Sequence, residues 1–307
     1  MNDHVAQVEM PSAETARLMR WATYASVTVA AILIAIKLVA WLMTDSISLL
    51  STLIDSLLDA GASLVSLVAV RTALTPPDRE HRFGHGKAEP LAALGQSAFI
   101  AGSAIILLIE AGHRLFNPQP IEHGDLGIAV MVVAIALTFA LTRFQAYVVK
   151  KTKSLAIQAD SLHYLGDLLV NCAVILAILI SVELGWTIAD PLFGLAIAAY
   201  ILWTAWRIAR RAFDMLMDHE LPEDDRRKIR DAVLAHPEVL AMHDLRTRTS
   251  GPLIFIQLHI ELKGSMTLYQ AHEAADEVED SLCALYPGAE VIIHQDPYGV
   301  EAPPALA

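Results

Sequence analysis

The 307-residue chain is 55% hydrophobic and only 18% charged, whereas a soluble globular chain carries about 25% charged residues. Its formal net charge of −12 argues against nucleic acid as a partner. The apolar excess fills the first two thirds, and the shift to ordinary soluble composition near Arg210 and Phe213 marks a domain boundary.

In chain order, residues 1–14 are polar and lack the basic-then-apolar order of a cleaved signal, so the first apolar run is expected to be retained. A bilayer core takes about 20 apolar residues per helix. Six runs qualify, at 22–43, 47–70, 91–115, 126–149, 162–182 and 188–208. Lys37 falls inside the first, where a snorkelling stem accounts for it. Arg17, Arg20, Arg71, Arg79, Arg82, Lys87, Lys150, Lys151, Lys153, Arg207, Arg210 and Arg211 gather on one side. The other side has Arg114 beside Asp45, Glu122, Asp125 and Glu183. The positive-inside rule then places both termini in the cytoplasm. Beyond 213, the pattern predicts a helix at 222–235, strands at 239–248 and 254–262, a helix at 268–286 and a strand at 290–294. Two helices on one face of a three-stranded sheet is the layer arrangement this implies. Cys172 falls in a span and Cys283 on a soluble helix, which is no disulfide framework.

Charges inside the apolar runs carry the chemistry. An Asp near a helix centre costs roughly 2.5–3.5 kcal/mol on insertion. The second span holds Asp55 and Asp59, spaced i,i+4 on one face, and the fifth holds His163 and Asp167 at the same spacing. Paired carboxylates repel unless a cation lies between them. One imidazole and three carboxylates make a tetrahedral set for zinc, and also suit iron, cobalt or cadmium. Hydrogen-bonded carboxyls and a core histidine are the bland alternative. Asp160, three residues before His163, reads as a helix cap or a group behind the ligands. The second–third connection carries Asp78, His81 and His85, a spacing that fits either a metal or a solvated charged loop. The C-terminal part holds His243, His259, His272, His294 and Asp296. Strand alternation puts His294 and Asp296 on one face. A bridging carboxylate there fits a binuclear metal site, and dispersed surface histidines fit the same residues.

At these residues the chain resembles the cation diffusion facilitator family, close to its bacterial ferrous-iron/zinc efflux branch. The resemblance rests on Asp55-Ser-Leu-Leu-Asp59, Phe83-Gly-His-Gly-Lys-Ala-Glu89, Ala159-Asp-Ser-Leu-His163, His243-Asp-Leu-Arg-Thr-Arg248 and Val291-Ile-Ile-His-Gln-Asp-Pro297. It implies an α-helical membrane protein, with a cytoplasmic segment at 1–20 and a six-helix transport domain at 21–212. A ferredoxin-like, metallochaperone-like α+β cytoplasmic domain follows at 213–300, with a tail at 301–307. It implies a homodimer in the bacterial inner membrane that exchanges zinc or ferrous iron for protons, with no organic cofactor. The transport site falls on Asp55, Asp59, His163 and Asp167, a loop site on Asp78, His81 and His85, and a binuclear cytoplasmic site on His243, His259, His272, His294 and Asp296. An interlocking salt bridge falls on Lys87 and Asp218. Glu110 has no family role, and Tyr298 stands where some relatives have cysteine. Manganese or cobalt efflux, or metal sensing, are the alternatives. A membrane metallohydrolase lacks support, because the chain has no His-Glu-x-x-His motif and no nucleophile with a partnered base.

Overall fold

The structure is a computed structural model that describes residues 12–44, 47–116, 125–184 and 189–300. Asp45, Glu122, the segments 1–11 and 301–307, and the side chains of Arg114, Asp125 and Glu183 lie outside the described residues, and with them the charges expected on the outer side. The chain divides into two compact units, Ala13–Ala73 with Ala88–Phe213, and Leu74–Lys87 with the C-terminal part from Asp214.

The first unit is a helical bundle of α1 (Ala13–Thr44), α2 (Ile47–Ala73), α3 (Ala88–Phe116), α4 (Asp125–Thr152), α5 (Leu155–Leu184) and α6 (Ala189–Leu216). Five of these are long and apolar enough to cross a membrane: α1, α3, α6 and the greater parts of α2 and α4. The other, α5, is 30 residues long, and several side chains of its second half lie outside the description. Large apolar residues such as Leu42, Ile106, Ile109 and Trp206 point outward from these helices, the arrangement a lipid solvent requires. Helix α1 packs on α2 and α4, and α5 packs on α2, α3 and α4. Gly166 lets α6 approach α5, because a Cβ there would sit 3.1 Å from the Ile201 side chain.

Polar side chains fasten the bundle from inside. Asp160 is six residues into α5 and 1% exposed. It is therefore not a cap. Ser26 of α1 and Gln145 of α4 each donate to Asp160 Oδ2 at 2.6 Å, and Ser63 of α2 lies 3.1 Å from Oδ1. Tyr164 Oη lies 2.9 Å from the same Ser63 hydroxyl. One carboxylate thus ties four helices. Glu89, buried at the start of α3, accepts from the Ser154 hydroxyl and, at 3.4 Å, from the Ala156 amide. Lys37 does not snorkel. Its ammonium donates to Thr52 O at 3.0 Å and Ser56 Oγ at 2.7 Å on α2.

The second unit contains α7 (Glu223–Leu234), β1 (Ala241–Ser250), β2 (Leu253–Leu262), α8 (Leu268–Leu285) and β3 (Glu290–Pro297). The sheet order is β1-β2-β3, with β1 antiparallel and β3 parallel to β2. Alternation along β2 sends Ile256, Leu258 and Ile260 into a core with Ile229 and Val233 of α7 and Val278 and Leu282 of α8. His259 and Glu261 fall on the opposite face. Thr267 caps α8 through a capping box with Gln270. The 74–87 loop belongs to this unit. A Cβ on Gly86 would sit 2.0 Å from Ser250 O, so only glycine permits that approach to the β1–β2 turn. Arg248 stacks over Phe83 of the loop and Phe255 of β2, at 5.2 and 4.3 Å.

The Asp160 hub generates a prediction. Asp160→Ala removes the acceptor of three buried donors; Ser26 and Ser63 keep each other at 2.8 Å, and a donor left stranded costs about 1–3 kcal/mol. Detergent-purified Asp160→Ala should therefore melt several degrees below wild type, and Asp160→Asn, which keeps one acceptor oxygen, should lose less. An unchanged Tm for the alanine variant would show that the hub carries no stability.

Candidate metal centres

Within the helical unit, α2 and α5 bring Asp59, His163 and Asp167 together, with one ligand atom from each within 4.8 Å of the others. His163 Nε2 is 2.7 Å from Asp59 Oδ1, and both side chains are largely buried. The i,i+4 spacing on α5 stacks His163 and Asp167 on one face, and that face meets the Asp59 side of α2. A cavity of about 240 Å³ opens beside them, lined also by Asp55, Phe99 and Ser103. Asp55 is on this wall but outside the close trio, and it is exposed. Of the four residues expected here, three converge and the fourth borders them.

The donor set, one imidazole nitrogen and carboxylate oxygens, suits a tetrahedral divalent ion. Tetrahedral zinc at about 2.0–2.1 Å needs ligand atoms roughly 3.3 Å apart. The His163–Asp59 hydrogen bond is shorter than that. An entering ion must break it and take the place of its proton, so ion and proton compete for the same two atoms.

Two further clusters belong to the other unit. In the loop, His81 Nδ1 lies 3.3 Å from Asp78 Oδ1, and His85 Nε2 lies 3.4 Å from Asp78 Oδ2. The imidazole rings are 4.5 Å apart. The amides of His81 and Glu80 donate to Asp78 Oδ1. The His81 amide bond, foremost, holds the Asp78 carboxyl below the usual carboxylate range, so it stays ionised and ready for a cation.

On the sheet, register sets His243 opposite His259, His259 beside His294, and Glu261 beside Asp296. Asp296 Oδ2 faces His259 Nδ1 at 2.8 Å and His243 Nε2 at 3.5 Å, while its Oδ1 faces His294 Nε2 at 3.2 Å. One carboxylate thus presents its two oxygens to different histidines, as a bridging ligand does. Both ring nitrogens of His243 are buried without a hydrogen-bond partner, which leaves lone-pair capacity for a metal. His243, His259 and Asp296 form the close group. His294 borders it, and His272 is apart on α8, 3.4 Å from Asp276. Sequence reasoning passed over two carboxylates here. Glu261 is 3.8 Å from His243, and Asp244, held at φ 49° in a β-bulge, is 3.8 Å from His259. Glu261 was legible from its strand face; Asp244 was not, because a bulge reverses the expected side.

Residues 23–217 match the cation efflux transmembrane domain, and residues 221–298 match the cytoplasmic domain of cation efflux proteins. The chain belongs to the cation efflux family. It is 48% identical over 285 residues to the cation-efflux pump FieF of Serratia proteamaculans, covering 93% of this chain and 95% of that protein. It is 49% identical over 283 residues to FieF of Shewanella oneidensis, covering 92% and 95%. The metal-bound C-terminal domain of the CzcD transporter from Thermotoga maritima is 28% identical, covering 26% of this chain and all of that domain, with a TM-score of 0.24. This cation efflux protein is therefore a multi-pass membrane transporter and not an enzyme, with a C-terminal α+β cytoplasmic domain of the dimerising kind.

Between loop and sheet, Lys87 Nζ is 3.0 Å from Asp218 Oδ1, and Arg248 Nη1 reaches the same oxygen at 3.3 Å. The Lys87–Asp218 pair closes within one chain. Arg248, unforeseen from the sequence, makes Asp218 the anchor for two cations. Partial burial pushes the Asp218 carboxyl up, but hydrogen bonds and charge from Lys87 and Arg248 outweigh it and hold the group below its usual range. A depressed carboxyl contributes stability above its unfolded value of about 3.9, and loses it as pH falls through the folded value. Both groups are half exposed, so each pair is worth below about 1 kcal/mol.

Asp218→Ala should therefore destabilise more than Lys87→Ala, and the double variant no more than Asp218→Ala alone. The gap between wild type and Lys87→Ala should shrink once pH drops below about 4. Thermal melts of the four proteins across pH check this, and strictly additive losses would show that the residues act independently.

Proposed function

We propose that this protein exports a divalent transition-metal ion, zinc or ferrous iron and by the same chemistry cadmium, from the bacterial cytoplasm in exchange for protons. It does so as a homodimer in the inner membrane with both termini cytoplasmic. The observation that carries this reading is the trio of Asp59, His163 and Asp167 beside a cavity among apolar helices. A charged cluster at such depth is expensive and marks an ion pathway. Family membership and the FieF relatives support efflux as the direction.

The site's chemistry couples ion to proton. Imidazole and carboxylate bind a metal only when deprotonated. Facing the cytoplasm, His163 and the carboxylates of Asp55, Asp59 and Asp167 take the ion. Facing outward, protons compete for those atoms and the ion leaves. The short His163–Asp59 hydrogen bond is the closed form of the site, with a proton where the ion would sit. His163 turns selectivity away from manganese, which prefers oxygen ligands. The loop residues Asp78, His81 and His85 serve as a second metal site. The cytoplasmic residues His243, His259, His294 and Asp296, with His272 apart on α8, hold structural ions that stabilise the paired C-terminal domains rather than travel.

Two measurements on proteoliposomes test this. Asp59→Ala should reduce zinc uptake by more than about 100-fold, beyond the 10–100-fold expected of an outer-shell partner. Near-normal transport would remove the site. His163→Asp makes an all-oxygen set and should raise the manganese-to-zinc rate ratio. An unchanged ratio would place selectivity elsewhere.

A further inference from the structure

Lys37 is a cation inside the span of a cation transporter. Its ammonium does not reach for the membrane surface. It crosses from α1 to α2 and donates to Thr52 O and Ser56 Oγ. Ser56 sits between Asp55 and Asp59 on α2, so the bonds hold the charge beside the wall that carries both carboxylates. Asp59, Asp167 and Asp55 all lie within coulombic reach of it. Lys37 is near the end of α1 and Thr52 near the start of α2. The ammonium therefore meets α2 on the side of the α1–α2 connection, away from the Asp160 hub. Asp160 is separately compensated by its own three donors.

We propose that Lys37 is the fixed counter-charge of the transport site and sets the ionic charge that the site accepts. The inference rests on the reading of Asp55, Asp59, His163 and Asp167 as that site. With the imidazole neutral, the three ionised carboxylates carry three negative charges. One ammonium and one divalent ion cancel them, and neither a monovalent nor a trivalent ion does. A net charge among apolar helices is costly, so the loaded site is cheapest to carry across when its occupant is divalent. The tethered ammonium also repels the bound ion, which keeps affinity low enough for release. It never leaves with the cargo, because its stem is part of α1.

The experiment is zinc transport by the full-length protein in proteoliposomes at about pH 8, where protons compete least for the ligands. Wild type is compared with Lys37→Gln, Lys37→Met and Lys37→Arg, and with Asp59→Ala as control. Gln keeps a donor for Ser56 and Thr52 without the charge, Met keeps the shape alone, and Arg keeps the charge. Loss of a unit charge within coulombic reach of the site's carboxylates should lower KM by about tenfold or more, and lower kcat because release slows. Both neutral variants should show this, and Lys37→Arg should stay closer to wild type than either. Wild-type KM and kcat in Lys37→Gln would overturn the proposal, because the hydrogen bonds would then be the whole role. So would a raised KM in the neutral variants, or failure of both to fold while Lys37→Arg folds, since each assigns Lys37 to structure. An active Asp59→Ala would instead remove the site itself, and so separates the two failures.

Discussion

A charge among apolar helices has no water to fall back on, and this constraint arranges the helical unit. Each buried ionisable group described there has found compensation of a different kind. Asp160 takes three side-chain donors from three helices. Glu89 takes a hydroxyl and a backbone amide from the α4–α5 junction. Lys37 takes a carbonyl and a hydroxyl. Asp59 takes the imidazole of His163. In the first two arrangements the carboxylate is held by donors from neighbouring helices and the helix junction. The Asp59–His163 arrangement is incomplete, since two more carboxylates and open volume lie beside it. The structural hub and the proposed transport site use the same kinds of costly residue, and what separates them is whether the compensation is closed or left open.

The two kinds of site sit one helical turn apart on α5. Asp160 fixes the rotation of that helix against α1, α2 and α4, and the i,i+4 geometry then carries His163 and Asp167 to the face that meets α2. The proposed transport site must change its exposure, and its side chains must not drift while it does so. A rigid hub next to the ligands meets both needs: the helix can move as a body while the spacing of its side chains persists.

Much of this was legible in the sequence because it depends on periodicity. Spacing by four puts Asp55 with Asp59 and His163 with Asp167, and spacing by two puts His294 with Asp296. Contacts distant in sequence were not legible. Nothing near Asp160 announces that Ser26, 134 residues away, will donate to it, so its position before His163 reads as a helix cap or a group behind the ligands. Lys37 read as a snorkelling stem because the hydroxyl of Ser56 enters only when α1 and α2 pack. Gly86 gave no sign that it would press against Ser250, and the loop's membership of the C-terminal unit follows from that contact. Asp244 was hidden by a bulge, and Arg248 by the fold that brings it to Asp218.

The parity of β3 has a consequence for how this chain can change over evolutionary time. Successive residues of a strand point to opposite faces, so His294 and Asp296 reach the histidines of β1 and β2 only while their count from the start of β3 is preserved. Gain or loss of one codon between Glu290 and His294 would send Ile293 or Gln295 into their places and turn both side chains toward the hydrophobic core. Single-nucleotide substitution can explore this segment freely at exposed Ile292, but length variation cannot. Indels among descendants of this gene should be confined to the turns on either side, around Gly288 and beyond Tyr298.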